Sequence, residues 1–281
     1  MGRLVSALLI LALPLAAQTR KSVLMITDAE GVAGVCRQDQ TDPSNPELKQ
    51  LLTGELNAAV EGFLAGGADE VLVWDGHDGS QTLSVLTIHP KARLLMGSPA
   101  PSGLLERKFA GLAFVGQHAR ANRKGGVMAH SFSSLGIQNM LMNGKPVGEI
   151  EVWTAMAGHF DTPVIFLSGD GAAAEDLKAI VPEAETVVVK EGLSYYTCIS
   201  MSAPAARDAI RAGATRAMQK LANVKPYRVG SPVAFRIEFS TRSTLPLNAG
   251  LAPGSEVIDA RTIEFRGKDI LEAWTRYRST R

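Results

Sequence analysis

Short apolar runs that break directly into glycine and ligand-type side chains recur along this chain and constrain its fold more than any other feature. Val23-Leu24-Met25-Ile26-Thr27 runs into Asp28-Ala29-Glu30-Gly31. Glu70-Val71-Leu72-Val73-Trp74 runs into Asp75-Gly76-His77, and Leu112-Ala113-Phe114-Val115 into Gly116-Gln117-His118. Val164-Ile165-Phe166-Leu167 and Thr186-Val187-Val188-Val189 extend the series. Uninterrupted runs of this kind suit strands covered on both faces, as in a parallel sheet.

The intervening segments carry helical spacing. Asn45-Pro46 supplies an N-cap and a first-turn proline, after which Leu48, Leu51, Leu52, Leu56, Ala59, Val60 and Phe63 recur until Gly66-Gly67 stops the helix. Val147 to His159 and Ala172 to Ile180 read as further helices, and Gly97 to Gly103 as a loop. Beyond residue 200 the pattern changes. A helix capped by Ser202-Ala203-Pro204 reaches about Ala222, strands follow at Val233 to Phe239 and Thr262 to Phe265, and a last helix starts at Lys268. The expected fold is α/β, a largely parallel sheet flanked by helices with a smaller C-terminal α+β lobe. Its divisions are 1–17, 18–200 and 201–281.

The segment 1–17 is set apart from the fold. Arg3 precedes an apolar run through Leu13, then Pro14 and Ala16-Ala17, the pattern of a secretory signal peptide cleaved after Ala17. The run is shorter than the roughly 20 residues that span a bilayer. Export to the periplasm or medium is therefore expected, without stable membrane insertion after cleavage. With 281 residues, 46% of them hydrophobic, the chain can bury a substantial core. A net charge of +1 with signs interspersed gives no electrostatic reason to expect nucleic acid, so a small molecule is the expected partner. Cys36 and Cys198, the only cysteines, have no zinc-ligand spacing. Free thiols are the simpler reading, and an exported chain leaves a disulfide open.

In parallel α/β sheets the loops after the carboxyl ends of strands gather on one edge, where ligands bind. Taken singly, a strand-end Asp caps a helix and a lone His is a hydrogen-bonding group. Together, Asp28, Glu30, His77 and His118 put hard and borderline donors beside glycines that permit close backbone approach, as zinc sites require. Gly125-Gly126-Val127-Met128-Ala129-His130-Ser131 adds a third histidine in a glycine-rich loop. Pro146-Val147-Gly148-Glu149 opens a helix with a carboxylate, which by position alone is equally a dipole-stabilising residue.

The joint pattern closely resembles the D-aminopeptidase family of binuclear zinc peptidases. It comprises Asp28-x-Glu30-Gly31-x-x-Gly34, Asp75-x-His77, Gly116-x-His118-Ala119-Arg120, Gly126-Val127-Met128-x-His130-Ser131 and Asn143-x-x-Pro146-Val147-Gly148-Glu149. The similarity continues to Pro253-Gly254, over nearly all of the mature chain. It implies two zinc ions per chain, with Asp28 bridging, Glu30 and His77 completing one site, His118 and Glu149 the other, and His130 as the catalytic histidine. It also implies cleavage of short peptides with an N-terminal D-residue such as D-Ala, and a ring-like homo-oligomer. Cell-wall-derived peptides would be natural substrates for an exported member. Trp74, Gln117 and a lengthened loop before His130 depart from the family pattern and bear on substrate choice. An exported solute-binding protein for peptides or amino acids is the rival reading, separable by metal content. Nucleotide binding has little support, because Glu30 to Gly34 lacks the GxGxxG pattern and no P-loop is present.

Overall fold

The computed structural model describes residues 20–246, 248 and 250–280. The expected signal peptide at 1–17 lies outside the described residues. In chain order the elements are β1 (Ser22–Thr27), α1 (Pro46–Ala65), β2 (Glu70–Asp75), β3 (Ala92–Leu95), α2 (Pro101–Leu105) and β4 (Gly111–Gln117). β5 (Ile137–Met142), β6 (Lys145–Pro146), α3 (Glu149–His159), β7 (Val164–Asp170), α4 (Gly171–Ile180), β8 (Glu185–Ser194) and β9 (Thr197–Ser200) follow. Then come α5 (Ala203–Gln219), β10 (Val233–Phe239), β11 (Ser255–Val257), β12 (Thr262–Gly267) and α6 (Ile270–Arg278).

Seven strands form one sheet in the order β3-β2-β1-β4-β7-β8-β9, parallel throughout except for the last pair. The apolar runs occupy its centre, and every residue of β4 and β7 is buried. Helices α1 and α5 pack on each other and against this sheet, while α3 and α4 form a second flanking pair. Helix α1 begins where the sequence puts it: the Asn45 side chain accepts from the Glu47 amide at 2.9 Å, and Gly66 caps its end.

Strand order reverses at β1. The chain steps outward through β2 and β3, then returns to lay β4 along the other side of β1. This is a topological switch point, where a crevice opens beyond the carboxyl ends of the strands. The register aligns those ends, with Thr27 opposite Asp75 on one side and Val115 on the other. Asp28, His77 and His118 therefore leave the sheet at one level.

A second, antiparallel sheet has the order β11-β12-β10-β5-β6. It draws β5 and β6 from the middle of the chain. Helix α6 buries Ile270, Ala273, Trp274 and Tyr277, a helical stripe that covers Phe235 and Phe265. One local expectation is corrected: the Gly97 to Gly103 segment is irregular only to Ala100, because Pro101 occupies the first turn of α2.

Candidate metal centre

Beyond the switch point the loops after β1 and β4 are knitted together by their backbones. The Asp28 amide donates to the Val115 carbonyl at 2.9 Å and the Gly31 amide to the Gly116 carbonyl at 2.7 Å. The approach demands glycine at both places. A Cβ on Gly31 would stand 2.1 Å from the Gln117 oxygen, and Gly116 has φ +73° with the Asp28 carbonyl 2.2 Å from where its Cβ would be. The β1 loop is pinned elsewhere too. The buried Lys190 ammonium donates to the carbonyls of Glu30, Val32 and Val35, and the buried Glu55 carboxylate accepts from the Ala33 amide at 2.9 Å.

Two groups of donor atoms result. Asp28, Glu30 and His77 form one, and His118, His130 and Glu149 the other, with the atoms of each group within 4.8 Å of one another. Asp28 stands between them. Its Oδ1 lies 3.1 Å from His77 Nδ1 and its Oδ2 lies 3.4 Å from His118 Nε2. Gln117 fixes this orientation by donating its amide to Oδ2 at 3.0 Å. Glu30 Oε2 is 3.4 Å from His77 Nδ1, and Glu149 Oε1 is 3.8 Å from His118 Nε2. Glu149 is the first residue of α3, and its Oε1 also accepts from the Phe132 amide.

Each imidazole is oriented by a carbonyl, which can only accept. His77 Nε2 meets the Thr41 oxygen, His118 Nδ1 the Ala119 oxygen and His130 Nδ1 the Met128 oxygen, all at 2.8 Å. In the neutral rings these nitrogens carry the proton, so the other nitrogen of each keeps its lone pair. The His118 and His130 rings stack at 4.0 Å and 15°. His130 sits between Met128 at φ +50° and Phe132 at φ +59°, left-handed conformations that cost about 1 kcal/mol or more each and that cluster at working loops.

The electrostatics describe a centre short of cationic partners. Burial raises Asp28, and the Glu30 charge adds to this, whereas His77 and His118 offset burial at Glu30 and hold its carboxyl well below the usual range. Burial alone would lower both histidines. The hydrogen bond with Asp28 and the charges of Glu30 and Asp28 instead push His77 up to about 11, and the Glu149, Asp28 and Glu30 charges push His118 up to about 9. Glu30 Oε2, His118 Nε2 and Glu149 Oε2 are buried with no hydrogen-bond partner. Asp75 does not join the cluster; its Oδ2 accepts from the Thr82 and Leu83 amides at 2.9 Å and shapes the loop that presents His77.

The centre opens into a cavity of about 890 Å³. Trp74, Trp153, Trp274 and Phe132 contribute to its walls, as does Arg278 at the end of α6. Gln117 entered the sequence analysis only as a departure bearing on substrate choice, whereas its amide orients Asp28, and Lys190, Thr41 and Arg278 had no functional assignment there. Only Lys190, a lone cation at the end of an apolar run, carried a signal.

A switch-point crevice holding a carboxylate and imidazole centre defines a hydrolytic enzyme of the α/β class. The chain belongs to the D-aminopeptidase family, whose description matches residues 22–279. It is 31% identical over 257 residues to the D-aminopeptidase of Bacillus subtilis (strain 168), covering 89% of this chain and 93% of that protein. Among solved structures it is similar to the Zn-dependent D-aminopeptidase DppA from Bacillus subtilis, a self-compartmentalizing protease. The TM-score is 0.83 at 29% identity, over 92% of this chain and 96% of that one. The family assignment supports the hydrolase and gives no support to the solute-binding alternative.

Proposed function

We propose that this protein is a zinc-dependent aminopeptidase that removes an N-terminal D-residue such as D-Ala from short peptides. The observation that carries the reading is Asp28, whose two oxygens face separate donor groups. The donor set fits two divalent cations: three carboxylates and imidazole nitrogens, with orphaned buried atoms on Glu30, His118 and Glu149. Asp28 would be shared, Glu30 and His77 would complete one site, and His118 and Glu149 the other. Bound zinc supplies Lewis-acid charge where the carbonyl becomes an oxyanion and makes water a competent nucleophile near neutral pH.

The residues of the chain do the rest. With Nδ1 held by Met128, His130 offers Nε2 to take a proton from the nucleophile and return it to the leaving amine. Trp74, Trp153 and Trp274 form apolar wall around the substrate side chain, and Arg278 suits the free carboxylate of a short peptide. A second reading rests on the grouping of His130 with His118 and Glu149, which makes it a third ligand of that site. Metal content of His130→Ala separates the two.

Export is proposed on the strength of residues 1–17, and it makes cell-wall-derived peptides natural substrates. A ring-like homo-oligomer is proposed as well. Its support is the exposed Leu193, Tyr195, Tyr196, Ile199 and Met201 on the β8–β9 hairpin at a sheet edge, a surface suited to a second copy. The test of function is hydrolysis of paired D-Ala and L-Ala dipeptides with and without chelator. D-selective, chelator-sensitive cleavage is expected; an L-preference or rapid cleavage of N-acetylated peptides would overturn the assignment.

A further inference from the structure

The loop after β1 that carries Asp28 and Glu30 also meets the β8–β9 hairpin. Its Gly34 amide donates to Ser200 Oγ at 2.8 Å. Along β9, Thr197 and Ile199 are exposed while Cys198 and Ser200 are partly covered, the alternation a strand imposes. Cys198 therefore shares the face on which Ser200 grips the loop. Cys36 lies two residues beyond Gly34, and its thiol is near enough to that of Cys198 to perturb it. These are the only two cysteines of the chain; both are free and half-buried, within reach of a small solute.

We propose that Cys36 and Cys198 form a redox-modification site, closed by a small-molecule disulfide into an intramolecular disulfide that fastens the Asp28/Glu30 loop to the β8–β9 hairpin. With glutathione disulfide as oxidant, the Cys36 sulfur gives up its proton and attacks one oxidant sulfur. The oxidant S–S bond breaks, and one glutathione leaves with the proton. The Cys198 sulfur then attacks Cys36 in the mixed disulfide, loses its own proton and expels the second glutathione. Two protein thiols are oxidised and one small disulfide is reduced, so the exchange balances. Burial and the adjoining Cys36 thiol push Cys198 up to about 11, which leaves it a small thiolate fraction and makes it the second attacker, where proximity to the mixed disulfide offsets that handicap. The bond would act on the loop that Lys190 already grips from beneath.

The test uses the zinc-loaded full chain equilibrated with excess glutathione disulfide, then subjected to thiol counting, intact mass and thermal unfolding. Expected are loss of both thiols, a mass lower by two hydrogens with no adduct, and a Tm higher by about 5–10 °C that reducing agent reverses. Cys198→Ser should leave one thiol that takes up glutathione and gains no Tm. Persistence of both thiols, glutathione adducts on both, or linkage between chains would overturn the proposal. A bond that forms without raising Tm would overturn the fastening. Should the variant fail to fold, the wild-type mass and thiol count decide alone.

Discussion

His118 and His130 lie ring on ring, 4.0 Å apart and 15° from parallel, although one directly follows a central strand and the other sits in a strained loop. The stack sets His130 beside the donor cluster with Nδ1 committed to Met128. His130→Ala should keep its fold and both zinc ions while kcat falls about 10²–10⁴-fold, the usual worth of a general base. Atomic absorption, thermal unfolding and turnover on one preparation check this. Loss of one zinc would favour the ligand reading, and near-normal turnover would remove His130 from the chemistry.

Lys190 acts on the centre from below. Its ammonium satisfies three carbonyls of the loop that carries Asp28 and Glu30, and replacement by Met would remove the donor to those of Glu30 and Val35, while that of Val32 keeps the Val35 amide at 3.2 Å. Lys190→Met should cost about 3 kcal/mol in stability. Urea unfolding measures it, and zinc affinity should fall in parallel.

Much of the centre was legible because β1, β2 and β4 are covered on both faces, so their apolar runs stop abruptly at Asp28, Asp75 and Gly116. His130 and Glu149 were less so. Their motifs flank β5, whose Gln138 and Asn139 interrupt the apolar pattern, and no local signal says that the segment crosses to a second sheet. The short edge strands β9 and β11 were missed for a related reason: each has one paired neighbour and mixed exposure. The division of the donors into two groups about Asp28 depends on the reversal of strand order at β1, which spacing along the chain does not encode.

The raised histidines give a pH dependence with a definite sign. In the metal-free protein His77 and His118 titrate near 11 and 9, above the value of about 6.5 expected in the unfolded chain. Their stabilisation is complete below pH 6.5 and is lost as pH rises, between 6.5 and 9 for His118 and on toward 11 for His77. Metal-free protein should therefore be less stable at pH 9 than at pH 6.5 in denaturant titrations. Because both imidazoles must shed protons to act as ligands, zinc affinity should rise over the same range. An affinity flat from pH 6.5 to 9 would contradict the ligand assignment.

Arg278 lines the cavity, and a guanidinium can bind a carboxylate through two parallel hydrogen bonds. Arg278→Ala should raise KM for peptides with a free C-terminus by about tenfold, equivalent to roughly 1.4 kcal/mol, and leave amidated peptides nearly unaffected. Equal effects on both substrates would assign the residue to structure instead.

The central claim is that one carboxylate, Asp28, serves two metal sites, and metal stoichiometry tests it most directly. Wild-type and Asp28→Ala proteins are to be purified without chelator, supplemented with zinc, desalted and analysed by elemental analysis, with circular dichroism to verify the fold. The account predicts two zinc ions per wild-type chain and fewer than one in the folded variant, since the substitution removes a ligand from both sites. A wild-type chain that holds only one, or a variant that retains two, would contradict it.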